Sequence, residues 1–565
     1  MIKPTNKLVE VATGRTPADV VFSNAQYLNV FTRQFETGDL AIVDGYIAGI
    51  GEPGDYRGAR EIDCRGQAIV PGFIDAHIHL ESTQAPIVET TRVMAAHGTT
   101  ALIADPHEMA NVLDLESVAY LLSVIEDAAV TCFLMAPSCV PSCPFDETGA
   151  VLDSHEVAEL LSHKRVIGLA EVMNYPGVIG GDVEVHQKIQ NAQKLGKVID
   201  GHAPCLSGLD LNAYVAAGPT TDHESTTYAE AYEKLRRGQY VLIREGTAGR
   251  NLAALQGLLT PQLSDRCLFC SDDIAASDLL ARGHLDYLIR RCIELGTAPE
   301  IAYAVASFNA AKTYRLADYG ALAPGYRADL VLLNDIETVD IAAVWHAGVE
   351  LAETESATKI PPREDDFPAV FHSVHMAPFS VQDIATDDTP RPLIGIVGGE
   401  IITENKGTAT GIDVERDILK LCVVERHKAT GHIGIAYATG YGLKRGAIAT
   451  SVAHDAHNII AIGTNDADLA AAIERVRDLQ GGHVLVEHGQ VIAELPLPIA
   501  GLISDVPIEE VARLHHELDT AAHECGVLPN VSPLMTLSFL ALPVIPHLKL
   551  TTLGVVDVDT FSLMN

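Results

Sequence analysis

The chain has 565 residues, 47% hydrophobic and 20% charged, with a formal net charge of −36. That length asks for about three domains. The acidic balance excludes nucleic acid and anionic membranes as partners, since both require a basic face. The opening Met1-Ile2-Lys3-Pro4-Thr5-Asn6 leads into polar residues with no apolar signal segment, and no stretch is long and apolar enough for a membrane span. Ten scattered cysteines suit reduced thiols, so a cytoplasmic location is expected. Cys267-Leu-Phe-Cys270 is a lone CxxC and reads as buried strand.

In chain order, residues 1–68 carry strand-like segments at 18–27, 40–50 and 59–63, with turns such as Asp44-Gly45. A matching stretch returns at Gly320–Leu333, so 1–68 and 320–375 read as one small β domain interrupted by residues 69–319. In that insert eight β-branched runs occur, at 69–77, 99–107, 130–138, 166–173, 197–203, 219–223, 240–245 and 267–273. They alternate with helical spacing at 87–97, 115–128, 154–163 and 183–195. The alternation predicts an α/β fold, a parallel sheet closed into a (β/α)8 TIM-type barrel with its active site at the C-terminal strand ends. Segment 353–366, polar and containing Pro361-Pro362, reads as a linker. Residues 376–565 form a C-terminal α+β domain, with a hairpin over 394–402 around Gly398-Gly399 and an amphipathic helix over 467–479.

The chemistry gathers at the strand ends. His77 and His79 end the first run one residue apart, so their side chains project from the same side and suit one divalent ion. Glu171, His202, His223 and Asp272 end runs four, five, six and eight. Two ions need a bridging anion. His77, His79 and Asp272 are therefore assigned to one ion, His202 and His223 to the other, and Glu171 to both. Two divalent ions per subunit acidify water and hold it as hydroxide. Asp272 takes the proton as hydroxide attacks and delivers it to the leaving group.

Several segments carry a resemblance. Pro71-Gly-Phe-Ile-Asp-Ala-His-Ile-His79, Pro324-Gly-Tyr-Arg-Ala-Asp-Leu-Val331 and the β flanks resemble the metal-dependent amidohydrolase superfamily. Within it, the chain resembles the bacterial adenine deaminases nearly end to end. That likeness lies in His77-Ile-His79-Leu-Glu81-Ser82, Ala104-Asp-Pro-His107-Glu108, Arg244-Glu-Gly246 and Ser271-Asp272-Asp273. It extends to Arg426-His427, Gly442-Leu-Lys-Arg-Gly446 and Ser451-Val-Ala-His454-Asp455-Ala-His457-Asn458. Hydantoinase-like relatives bridge their metals with a carboxylated lysine on strand four, where this chain has Glu171.

The resemblance implies hydrolysis of adenine to hypoxanthine and ammonia, with hydroxide adding at C6 and N1 gaining a proton. It implies manganese or iron; the ligand types also admit zinc. Glu224 is either the proton donor to the ring or a carboxylate that orients His223. His107 and Glu108, read as the end of strand two, and Glu81 would hold a purine edge, a further cation or a loop. Arg244 and Glu245, at the end of run seven, make an internal salt bridge or a substrate contact. His454, Asp455 and His457 form a turn with satisfied polar groups, or a cover over the barrel mouth that excludes water. A homo-oligomer, with a dimer favoured, is the expected assembly. Two competing readings are another amidohydrolase reaction, on an N-acyl amino sugar or a dipeptide, and a non-catalytic scaffold, which would show an eroded ligand set.

Overall fold

The structure is a computed structural model and describes residues 3–351 and 363–564. Most of the expected linker, 353–362, lies outside the described residues. A helix, Thr5–Ala12, precedes the first strand and has no counterpart in the sequence reading. The flanks share one eight-stranded sheet: β1 (Ala18–Asn29), β2 (Gln34–Val43), β3 (Tyr46–Gly51), β4 (Gly58–Asp63) and β5 (Ala68–Pro71) from the N-terminal side.

After β5 come eight parallel strands whose ends carry the site: β6 (Phe73–Ile78), β7 (Thr99–Ala104), β8 (Thr131–Ala136), β9 (Val166–Val172), β10 (Val198–Gly201), β11 (Thr221–Asp222), β12 (Tyr240–Arg244) and β13 (Cys267–Cys270). The eight-stranded sheet of the flanks is then completed by β14 (Leu330–Asp335), β15 (Asp340–His346) and β16 (Val349–Glu350), with β14 antiparallel to β5.

β6 to β10 form one curled parallel sheet and β11 to β13 another. Both seams are stitched. Thr220 N–H donates to Ile199 O at 2.8 Å, and Asp272 N–H donates to His77 O at 3.0 Å beside a parallel bridge between Ile78 and Asp272. Ile74, Ala101, Met135, Ala170, Val198, Leu242 and Leu268, one from each of seven strands, share one buried cluster. Period-2 alternation sends these side chains inward. The arrangement is a TIM-type barrel with additional domains.

Two boundaries differ from the reading of the sequence, each for a local reason. The run at 69–77 is two strands. β5 belongs to the flanking sheet and β6 to the barrel, and they part at Gly72, whose N–H donates to Asp329 O at 2.9 Å. A Cβ on Gly72 would meet Thr100 Oγ1 at 2.2 Å, so the crossing requires glycine. Gly72→Ala is expected to cost about 1–3 kcal/mol through overpacking, read as a lower urea midpoint at unchanged slope. Run two ends at Ala104, not residue 107. Asp105 Oδ1 accepts the N–H of His107 at 3.1 Å, and His107 and Glu108 open the helix His107–Val124. That helix, expected over 115–128, starts earlier and is interrupted at Leu113 and Asp114, the latter with φ of 58°.

The C-terminal region is built on a second eight-stranded sheet: β17 (Arg391–Ile396), β18 (Thr403–Ala409), β19 (Leu419–Val424), β20 (Ile433–Thr439), β21 (Ala447–Thr450), β22 (Ile459–Gly463), β23 (Gly482–Glu487) and β24 (Gln490–Pro496). β17 and β18 pair antiparallel, with Gly398-Gly399 in the turn between them, so the strands flank the segment 397–402 instead of filling it. The helix Asp466–Asp478 is capped by Asn465 and buries Leu469, Ile473 and Val476. The region is fastened to the barrel by Gln84 (to His483 and Ser504), by Glu89 (to Ile508) and by Glu147 (to His432, Asn458 and Thr552). No helix among the described residues is long and apolar enough to cross a membrane.

Candidate metal-binding active site

Six side chains expected at the strand ends converge around one carboxylate. Glu171, at the end of β9 and 4% exposed, turns its two oxygens to different partners. Oε1 lies 3.4 Å from His79 Nε2 and 3.9 Å from His77 Nε2. Oε2 lies 2.6 Å from His202 Nδ1 and 3.2 Å from His223 Nε2. Asp272 Oδ1 approaches His79 Nε2 at 3.3 Å and His77 Nε2 at 3.9 Å. Three overlapping sets have ligand geometry: His77, His79 and Glu171; His77, His223 and Asp272; and Glu171, His202 and His223.

The donor set fits divalent ions. His77 Nε2 and His79 Nε2 face one another at 3.2 Å, an arrangement a shared cation satisfies better than a single proton does. The electrostatics agree. Burial would raise the carboxyls of Glu171 and Asp272, but His202 and His223 hold the first, and Arg244 and His79 the second, well below the usual range. Burial disfavours charge on His79 and His223 too, yet the carboxylates raise both. His77, in contrast, is pushed down to about 4 by burial and by His223 and His79, which keeps it in the neutral, ligating form.

Two residues without a role in the sequence reading hold the cluster in shape. Asp105 Oδ2 accepts the N–H of Glu171 at 3.3 Å, and its carbonyl pairs with His79 Nδ1 at 3.1 Å, which leaves Nε2 for the centre. Asp75 Oδ1 accepts the N–H groups of His77 at 3.2 Å and Ser271 at 3.1 Å, while His284 Nε2 lies 2.9 Å from its other oxygen. The only sequence signal for them was position: both carboxylates sit two residues before a histidine of interest.

Arg244 belongs to the cluster as an ion-pair partner. Its Nη1 donates to Asp272 Oδ2 at 2.5 Å and to Glu224 Oε1 at 2.6 Å, so its partner is not Glu245. Glu224 also reaches His223 at 3.3 Å and His202 at 3.7 Å. Burial opposes its charge, but Arg244 and then His202 keep its carboxyl far below the usual range.

A cavity of about 310 Å³ adjoins the cluster. None of the six candidate ligands lines it; Glu81, Ser82 and Asp273, their neighbours in sequence, do. Glu108, His454, His457 and Phe539 form another part of its wall, while His107, Arg244 and Asp455 do not line it. His454 Nδ1 contacts Glu108 Oε1 at 2.7 Å and His457 Nε2 contacts Glu108 Oε2, so the C-terminal segment reaches the barrel mouth. Asp455 is buried behind them, with Oδ2 unpartnered among the described residues and its carboxyl pushed up to about 6 by burial. It does not line the cavity that Glu108, His454 and His457 line.

Burial lowers the His454 imidazole, but Glu108 more than offsets this and raises it from 6.5 to about 9. Since the folded value lies above the unfolded one, the pair's contribution is complete below about pH 6.5 and is lost as pH rises through about 9. In metal-free protein we expect about 2–3 kcal/mol of stability to disappear over that interval. Urea unfolding at the two ends should show it, and His454→Asn should flatten the dependence.

Two parallel sheets stitched into a TIM-type barrel, with four imidazoles and two carboxylates at their strand ends, define the class: the chain belongs to the amidohydrolase family, whose model matches residues 68–351. Residues 399–562 match the adenine deaminase C-terminal domain. The protein named adenine deaminase from Dehalococcoides mccartyi (strain ATCC BAA-2266 / KCTC 15142 / 195) is 43% identical over 99% of this chain and 98% of its own length. Adenine deaminase 2 of Carboxydothermus hydrogenoformans is 41% identical over 100% and 99%. The adenine deaminase of Halalkalibacterium halodurans is 41% identical over 98% and 97%. Within the amidohydrolases, the chain belongs to the adenine deaminase family.

Proposed function

We propose that the protein hydrolyses adenine to hypoxanthine and ammonia at the Glu171 cluster. End-to-end similarity to proteins named adenine deaminase, with a full set of ligand residues around Glu171, carries this reading. We read the eight strand–helix units as one closed (β/α)8 barrel over 69–319, set between a small β domain (1–68 and 320–375) and an α+β domain (376–565). Ten free cysteines, nine of them buried, support a reducing, cytoplasmic setting.

Two divalent ions per subunit, manganese or iron with zinc admissible, would lower the pKa of water here toward neutrality. His77, His79 and Asp272 would hold one, His202 and His223 the other, with Glu171 shared. As the new C6–O bond forms, Asp272 accepts one proton of the attacking water, and N1 of the ring takes one from solvent. The C6–N bond then breaks as Asp272 passes its proton to the departing amine; the C6 hydroxyl releases the water's second proton to solvent as the carbonyl forms, and ammonia leaves. Arg244 holds Asp272 in place through this exchange. Glu224, tied to Arg244, orients His202 and His223 and does not donate to the ring.

The test is ammonia release together with loss of adenine absorbance, using manganese-loaded protein. Protein shown to carry two ions per subunit that leaves adenine intact would sink the substrate while leaving the site standing.

A further inference from the structure

One part of the cavity wall has no part in the steps above. Glu108 is 5% exposed and lines the cavity, and two imidazoles of the C-terminal domain each take one of its oxygens. His107 Nε2 approaches Oε1 at 3.5 Å from the barrel side. A carboxylate offers about four acceptor positions, so two short bonds leave capacity for a ligand in the cavity. His454 is itself fixed, its ring stacked on Phe539 with centroids 4.8 Å apart.

Adenine carries two kinds of N–H. The amine on C6 is the leaving group and must lie against Asp272 and Glu171. The other is the N–H of the five-membered ring, the one donor left for an acceptor outside that cluster. This argument rests on the adenine reading. We propose that Glu108 accepts the hydrogen bond of the five-membered-ring N–H, so that the pocket takes the free purine base and rejects purines alkylated or ribosylated at that nitrogen. An alkylated ring brings no donor to the acceptor positions that the imidazoles leave open, and puts a carbon where the hydrogen was. A site that hydrogen-bonds a substrate N–H rejects an analogue lacking it by about 10⁴-fold. Glu108 is thus a specificity-determining residue, held for that task by a domain other than the one that holds the metal ligands.

The experiment compares kcat/KM for adenine and 9-methyladenine in manganese-loaded wild type and Glu108→Gln, with metal content measured in each. We expect wild type to prefer adenine by about 10⁴-fold and the variant to lose at least about 10-fold of that preference, through adenine alone, at unchanged metal content. His454→Asn, which frees the carboxylate from its fixed partner, should narrow the same ratio and serves if Glu108→Gln does not fold. An unchanged ratio in the folded variants overturns the proposal. So does a loss of one bound ion in Glu108→Gln, which would make Glu108, His454 and His457 a cation site. Wild type inert toward adenine fails the activity reading instead; active wild type with an unchanged variant ratio fails only this assignment.

Discussion

Asp272→Asn should lower kcat for ammonia release from adenine by about 10³-fold or more, the scale of a lost general acid–base group. The substitution is nearly isosteric, so the oxygen facing Arg244 can remain while the proton acceptor is lost. Because Asp272 Oδ1 also faces His79 and His77, metal content has to be read with the rate. A variant that keeps two ions per subunit and has lost turnover assigns the defect to proton transfer. A variant with near-normal kcat would remove Asp272 from the reaction, whatever its effect on metal.

Glu171→Gln should act earlier, on assembly of the site. One amide oxygen cannot face both His77 with His79 and His202 with His223, and the amide nitrogen would turn a donor toward an imidazole. Even partners outside the ligand shell are worth 10–100-fold in metal affinity, so loss of a shared ligand should exceed about 100-fold and carry activity with it. Metal content after dialysis is the measurement. Two tightly held ions per subunit in Glu171→Gln would show that Glu171 is not the shared ligand.

The local pattern made much of this site legible, and the long-range pairs did not. His77 and His79 follow from period-2 alternation, and each of the β-branched runs bounded by turn residues overlaps one of the strands β6 to β13. The misplaced end of strand two has a local cause: Thr99–Ala104 reads on smoothly into Asp105, but the chain turns at Asp105-Pro106 and the helix opens at His107, whose N–H the Asp105 side chain accepts. Periodicity is blind to such a contact when the residue it holds is itself polar. Arg244 illustrates the other limit. Its neighbour Glu245 was the natural partner by sequence, yet Glu224 and Asp272, 20 and 28 residues away, hold it. The meeting of Glu108 with His454, 346 residues apart, depends on two domains docking, which no local signal encodes.

Gly72 has a consequence for how the molecule comes apart. A single residue separates the last N-terminal strand of the flanking sheet from the strand that presents His77 and His79, and its N–H is pinned to Asp329, just before β14. With no slack at that junction, and with β14 returning after the barrel to pair with β5, the flanking sheet grips the chain on both sides of the barrel and the two cannot swing as separate bodies. Calorimetry should therefore find them melting together in one cooperative transition. Damage to the distant edge of the flanking sheet would then be felt as heat lability at the metal ligands, without any residue of the site having changed.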